Sequence, residues 1–342
     1  MGGGGFTITG TEADIRATLD SFTFTPAAND DSNVTLGVAV TATDSNGDTA
    51  TTSSAHTLNV AAIADAPVGS GTGTGNEDRA IAVPVSVGVS DTDGSETITQ
   101  VMIEAPAGVV LGGFGPSGAS VNQAGQTWTL TGTQAQIEAA LAAMTATPPL
   151  HSDVDFDLTV TITASETMPN GGEVTTLSAD TVITVPVIVN AVADAPTVSV
   201  GSGVFNTDED TVVSLSGLSG SLVDTDGSEA LSYEISGIPL GAALNGGTDL
   251  GAGVWSFTPA ELAVLTFTPP TNWHAINLTL TAIATEGNGN DQASNALPFQ
   301  IVVEAQADAP TVTPGASTTN EDTAAQVGTA ISYGLLDTTA RK

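Results

Sequence analysis

The chain of 342 residues carries 38 Asp and Glu against 4 Lys and Arg, a formal charge of −34 at pH 7, and no cysteine. That balance excludes a nucleic-acid ligand, whose affinity rests on Lys and Arg neutralising phosphates, and the missing thiols exclude disulfides, thiolate metal sites and cysteine nucleophiles together. Hydrophobic residues make up 40%, enough for packed cores, so the charge does not mark a disordered acidic tail.

Val, Thr, Ala and Gly dominate and aromatics are scarce, which predicts an all-β protein of many short strands. At the N-terminus, Met1 and Gly2 to Gly5 offer neither the basic nor the apolar region of a secretory leader. Phe6 stands where a myristoylation signal needs Ser or Thr. The start reads as internal to a longer protein.

In chain order, Phe6-Thr7-Ile8-Thr9-Gly10-Thr11 reads as a strand running into a short helix over Thr11–Leu19. Thr25-Pro26, Thr41-Ala42-Thr43-Asp44 and the first Ala-Asp-Ala-Pro, at Ala64–Pro67, follow. Next come Asn76-Glu77-Asp78, Asp91-Thr92-Asp93-Gly94-Ser95-Glu96 and Trp128-Thr129-Leu130-Thr131. After a Thr133 N-cap, Ile137, Leu141 and Met144 fall at helical spacing, and this helix is expected to plug one end of a sandwich. Thr147-Pro148-Pro149 precedes Asp157–Thr163, where apolar residues alternate with Thr at the period of a half-buried strand. Ala164-Ser165-Glu166 and the turn Pro169–Gly172 then lead through Val182–Val189 to a second Ala-Asp-Ala-Pro at Ala193–Pro196. Val182–Val189 is the richest apolar run and far too short to span a membrane.

The same landmarks then recur in the same order. Asp208-Glu209-Asp210 is followed by Asp224-Thr225-Asp226-Gly227-Ser228-Glu229, letter for letter the earlier motif. Trp255-Ser256-Phe257-Thr258, a helix over Pro259–Leu265, Thr268-Pro269-Pro270, the alternating run Asn277–Ile283, Ala284-Thr285-Glu286 and the turn Gly287–Asn290 lead to the third Ala-Asp-Ala-Pro at Ala307–Pro310. Asn320-Glu321-Asp322 comes next, and Asp337-Thr338-Thr339 stands where Asp-Thr-Asp is expected. The period of about 115–130 residues suits a β-sandwich rather than a β-helix, whose repeats are far shorter. The expected domains are the back part of a repeat over 1–64, whole repeats over 65–193 and 194–307, and the front of a further repeat over 308–342.

Chemistry concentrates in the acids. Asp91-x-Asp93-Gly94-x-Glu96 gathers alternate carboxylates around a tight turn, an all-oxygen set of the kind calcium takes in six- to eightfold coordination. No Glu at a twelfth loop position makes it an EF-hand, and no nonapeptide run makes it a β-roll. A single copy equally describes a surface hairpin turn. The three histidines, His56, His151 and His274, suit surface loops better than catalysis. Trp128 and Trp255, at one place in the repeat, read as core, whereas Trp273 has no tryptophan counterpart and reads as exposed. The glycosylation patterns at Asn33 and Asn277 are explained by strand alternation. Nothing here marks an enzyme.

Together the Asn-Glu-Asp, Asp-Thr-Asp-Gly-Ser-Glu, Ala-x-Glu and Asp-Ala-Pro landmarks resemble the cadherin-like and immunoglobulin-like tandem extender repeats of giant bacterial RTX adhesins exported by type I secretion. The resemblance covers essentially the whole chain, although only Asp-Ala-Pro remains of the longer animal cadherin linker. It implies calcium ions between neighbouring repeats, an extracellular place on a bacterial surface, and a spacer role in adhesion and biofilm formation, with any host ligand bound by modules outside these residues. Position by position, it implies Glu77, Glu166 and Asp194 with Asp224 and Asp226 at the junction of the two whole repeats, supplemented by Asp78 and Glu229. The preceding junction takes Asp44, Asp65, Asp91 and Asp93. The following one takes Glu209, Glu286, Asp308 and Asp337, weakened by Thr339. Two other readings stay open: direct binding of a glycan or protein, which would leave an aromatic or apolar patch peculiar to one repeat, and a hydrolase accessory domain, which would need a non-repeated polar cluster.

Overall fold

The computed structural model describes residues 4–91, 94–167, 177–271, 273–287, 291–306, 309–326, 328 and 331–334. The chain divides into two compact units, residues 1–149 with 154–189 and residues 150–153 with 190–342. In the first, α1 (Glu12–Asp20) precedes a hairpin of β1 (Val34–Thr43) and β2 (Thr49–Leu58). There follow β3 (Val68–Gly71), β4 (Gly73–Asn76), β5 (Ile81–Ala82), β6 (Val85–Gly88), β7 (Glu96–Glu104), β8 (Val110–Gly112), β9 (Ser120–Ala124), β10 (Thr127–Thr131), α2 (Gln134–Ala142), β11 (Thr145–Thr147), β12 (Phe156–Glu166) and β13 (Leu177–Asn190). The larger sheet is ordered β4-β13-β12-β7-β10-β9, the smaller β5-β11-β8, and β3 pairs with β6. Both sheets feed one core, in which Ile81, Leu111 and Ala146 of the smaller meet Val101, Leu130 and Val160 of the larger.

The second unit contains β14 (Thr197–Ser199), β15 (Val204–Asp208), β16 (Val213–Ser214), β17 (Ser219–Ser221), β18 (Glu229–Ser236), β19 (Ala243–Leu244), β20 (Thr248–Gly251), β21 (Val254–Phe257), α3 (Pro259–Ala263), β22 (Thr266–Thr268), β23 (Ala275–Glu286) and β24 (Gln292–Glu304). Its sheets, β15-β24-β23-β18-β21-β20 and β16-β22-β19, repeat those of the first unit strand for strand. β25 (Thr311–Pro314) and β26 (Ile331–Gly334) pair separately. This is an all-β protein built of immunoglobulin-like sandwiches, as the alternating Val/Thr runs require.

Period-2 patterning sets the inward faces. In β12, Leu158, Val160, Ile162 and Ala164 are all buried, and in β23 Leu278, Leu280, Ala282 and Ala284 take the same places. Glycine fits where the core crowds the backbone: a Cβ at Gly69 would lie 2.4 Å from Ile162 Cδ1. Trp128 is buried in the first unit's core, Trp255 packs half-buried against the second unit's core, and Trp273 is exposed. Asn33, half-buried, accepts from Val60 N–H (3.1 Å), and Asn277, exposed on β23, accepts from Gln300 Nε2 (2.9 Å).

Among the described residues, all three α-helices start from a threonine capping box, Thr11 with Asp14, Thr133 with Gln136 and Thr258 with Glu261, which satisfies otherwise orphaned first-turn N–H groups. α2 buries Ile137, Ala140 and Leu141 against β6 and β7, while α1 buries nothing.

The β1–β2 hairpin has the sequence pattern of β12–β13 without its burial. Leu36, Val38 and Val40 are 39%, 41% and 62% exposed, whereas Leu158, Val160 and Ile162, their counterparts, are 0% exposed. Among the described residues β1 has β2 alone beside it, while β12 lies between β13 and β7. Large-to-small changes should therefore differ sharply in cost. Ile162→Ala is expected to destabilise the first unit by about 2–5 kcal/mol and Val40→Ala by about 0.5 kcal/mol or less, measured by denaturant melts.

Candidate metal centres

Each sandwich places a group of carboxylates at the end where the Asp-Thr-Asp-Gly-Ser-Glu loop meets the larger sheet. In the first unit, a β-bulge at Thr163/Ala164 in the pairing of β12 with β7 brings Glu166 directly opposite Glu96. Both are buried, at 1% and 3% exposure. A cavity of about 350 Å³ opens beside Glu166, lined also by Asn29, Asp31, Asp65 and Asp91. Its volume exceeds the ~30 Å³ share of a single water molecule about tenfold.

The second unit repeats the arrangement. Glu229 and Glu286 lie opposite one another on β18 and β23, and Asp153, Asp194, Asp224 and Asp226 gather around them. The loop folds on its own acids: Asp224 Oδ1 accepts from Asp226 N–H and Asp226 Oδ1 from Ser228 N–H, each at 2.8 Å. Gly227, at φ +103°, supplies the left-handed step. One oxygen of Asp224 thus shapes the loop while the other, Oδ2, is buried without a hydrogen-bond partner. Glu96 Oε2, both oxygens of Glu166, Glu229 Oε2 and Glu286 Oε2 are in the same state.

Electrostatics sharpen the picture. Burial, and then the charges around them, raise the pKa of Glu96, Glu229, Glu286 and Asp153. Glu96 faces Glu166 and Asp65; Glu286 faces Glu229, Asp153 and Asp224. Asp226 goes the other way: burial opposes ionisation there but is outweighed by hydrogen bonds from Ser228 and Asp153. With only four Lys and Arg in the chain, a bound cation is the natural counter-charge. The donors are oxygens, flanked in the second unit by His151, whose Nδ1 lies 2.7 Å from Asp194 Oδ2. A hard, oxygen-preferring divalent ion such as calcium fits this donor set.

The grouping expected from the sequence changes in three places. Glu166 cannot share a site with Glu77. It ends β12 opposite Leu177, the start of β13, whereas β4, which Glu77 follows, runs beside the far half of β13, where Thr72 donates to Pro186. Glu166 instead joins Asp65 and Asp91. Asp44 does not join them: it is exposed in the β1–β2 turn and accepts from Asn46 and Asp48 N–H, a full strand length from Val60–Ile63. Glu286 likewise lies at the opposite end of β24 from Glu209, whose carboxylate accepts from Gln306 N–H. It gathers with Asp194, Asp224 and Asp226. Antiparallel pairing is the reason, since the Ala-x-Glu strand ends beside the loop at the front of its own repeat. Asp93, Asp308 and Asp337 lie outside the described residues.

Two acids escaped the sequence reading. Asp31 and Asp153 each stand six residues after the Thr of a Thr-Pro pair, and each follows a residue with left-handed backbone, Asn29 at φ +56° and His151 at φ +54°. That spacing was readable. Glu96 was visible only as part of the repeated motif.

No protein-family profile matches the chain, and no curated protein matches it. Among solved structures it is similar to EC1-3 of Drosophila N-cadherin (TM-score 0.22, 14% identity, 69% of this chain and 64% of that one). It is also similar to EC1-3 of mouse protocadherin-24 (TM-score 0.33, 10% identity, 79% of each chain). A third is a SusE-like surface located polysaccharide binding protein of Bacteroides thetaiotaomicron (TM-score 0.22, 11% identity, 81% of this chain and 52% of that one). The likeness is of cadherin-like and immunoglobulin-like β-sandwiches and extends no further than fold.

The raised carboxyls set the sign of a pH effect. Without divalent ions, the folded protein binds more protons than the unfolded chain between the ordinary glutamate pKa and the raised folded value, so stability falls as pH rises through that window. Melting in chelator is expected to give a higher Tm near pH ~5 than near pH ~7. The slope should be shallower in Glu286→Gln, which removes one titrating group; an unchanged slope contradicts the assignment.

Proposed function

We propose that the chain is a calcium-dependent spacer region of a large secreted bacterial surface adhesin, built of tandem sandwiches over 65–193 and 194–307 with partial repeats over 1–64 and 308–342. The observation that supports it best is the repeated set of buried carboxylate oxygens without partners on Glu96 and Glu166 and again on Asp224, Glu229 and Glu286. Buried charge of one sign persists only when it is protonated or matched. Calcium, when bound, supplies that match.

The residues that would hold it are Asp31, Asp65, Asp91 and Glu166 in one copy, and Asp153, Asp194, Asp224, Asp226 and Glu286 in the other. Asp65 and Asp194 belong to the Ala-Asp-Ala-Pro segments that link successive repeats, so ion occupancy fixes the linker against the sandwich it enters. Asp31 and Asp153 come from the loop before the long hairpin of the preceding repeat, which ties a second segment to the same ion. A string of such joints resists bending and holds a distal binding module away from the cell. The third copy is poorer: Thr271 to Ala275 offers no acid at the Asp31/Asp153 position, and Thr339 replaces an Asp. A direct ligand-binding role is the second reading, favoured by Trp273, 39% exposed and without a tryptophan counterpart in the first repeat.

The test is small-angle scattering and thermal melting of the whole chain with calcium and with chelator. Calcium at about 100 times the Kd should add about 2.7 kcal/mol per site, raise the Tm and narrow the distribution of lengths. Asp224→Asn should remove one of the two calcium-binding steps and leave the other. Identical curves in calcium and chelator would sink the spacer mechanism.

A further inference from the structure

Two of the three Ala-Asp-Ala-Pro linkers are held by the same device. Asp65 N–H donates to Glu96 Oε1 at 2.8 Å, and Asp194 N–H donates to Glu229 Oε1 at 2.6 Å. In each case the donor is the Asp of an Ala-Asp-Ala-Pro segment, and the acceptor is the last residue of an Asp-Thr-Asp-Gly-Ser-Glu motif. In each case the second oxygen, Oε2, is buried with no hydrogen-bond partner. Each glutamate also faces another buried glutamate across the sheet, Glu166 or Glu286. One carboxylate therefore has one oxygen committed to the linker backbone and the other turned into a buried, negatively charged group.

We infer that Glu96 and Glu229 are positioning residues that couple the linker to the ion: one oxygen latches the linker N–H and the other answers to calcium, so linker order reports ion occupancy. The inference rests on the calcium reading and adds to it a specific route from ion to linker. Without the ion, repulsion from Glu166 or Glu286 pushes the latch carboxylate out of place, which weakens its hold on the amide. With the ion, the carboxylate is fixed between the cation and the linker N–H. The latch also aims the side chain of Asp65, which lines the cavity, so linker geometry and ligand geometry are set by one contact. Two copies in different sequence surroundings carry the same bonds, which allows one to serve as control for the other.

The experiment is amide hydrogen exchange of the whole chain, followed at the Asp65 and Asp194 N–H, in calcium and in chelator, for the unsubstituted protein, Glu229→Gln and Glu229→Ala. The glutamine keeps a carbonyl acceptor for the linker amide and loses the charge. Calcium is expected to slow exchange at both linkers of the unsubstituted protein. In Glu229→Gln, Asp194 should keep its chelator-state protection but lose the increment from calcium, with affinity at that site down about 10–100-fold. Glu229→Ala should lose both. Asp65 should respond normally in both variants, which shows that the chain remains folded. An unsubstituted protein that responds to calcium together with a Glu229→Gln variant that responds equally at Asp194 overturns the latch alone. No response to calcium at either linker of the unsubstituted protein overturns the calcium reading and the latch with it.

Discussion

Two glutamates buried opposite each other at the end of a sheet would normally be a defect. Like charges directly across a strand pair destabilise it, and taking them out of water multiplies the cost. Here the pairing occurs twice, Glu96 with Glu166 and Glu229 with Glu286, at the same place in two sandwiches of the same strand order. Asp91 and Asp224 are buried beside them. The cores are otherwise apolar, with Glu77 and Glu209 the further buried glutamates among the described residues, so these facing pairs stand out as a place where packing and charge disagree.

On the proposed reading a cation resolves the disagreement, and the chain's own composition leaves little else to do it. Lys and Arg number four against 38 acids, and protonation is an answer only at acid pH. That reading takes part of the ligand set from linker residues, so resolving the charge would also immobilise the connection between repeats. The local electrostatics of one sheet end would thereby acquire a mechanical consequence for the array. Repulsion between unfilled sites would keep the array loose where divalent ions are scarce, and coordination would stiffen it where they are plentiful.

Much of the fold was legible in the sequence. Alternation in Asp157–Thr163 and Asn277–Ile283 gave the central strands; Thr133 and the spacing of Ile137, Leu141 and Met144 gave the buried helix; the recurrence of whole motifs gave the period. What was not legible was which acids meet. Chain order suggested that Glu166 works with the linker that follows it, but β12 runs antiparallel to β13, which carries Glu166 to the other end of the sandwich and next to Asp91. The same geometry moves Glu286 to Asp224 and leaves Asp44 in an exposed turn. Asp31 and Asp153 were missed because a lone Asp after Thr-Pro reads as a turn residue until the fold brings it to the motif loop. Glu96 has a role only once its hydrogen bond to the Asp65 backbone is seen.

The central claim is that a divalent ion occupies the sheet end where these glutamates face each other. A crystal structure of the whole chain grown in calcium tests it most directly, with anomalous scattering to identify the ion. The account predicts anomalous peaks with oxygens of Glu166 and Asp91, and of Glu286 and Asp224, at calcium distances of about 2.3–2.6 Å. Glutamate pairs with no ion between them at saturating calcium would contradict it.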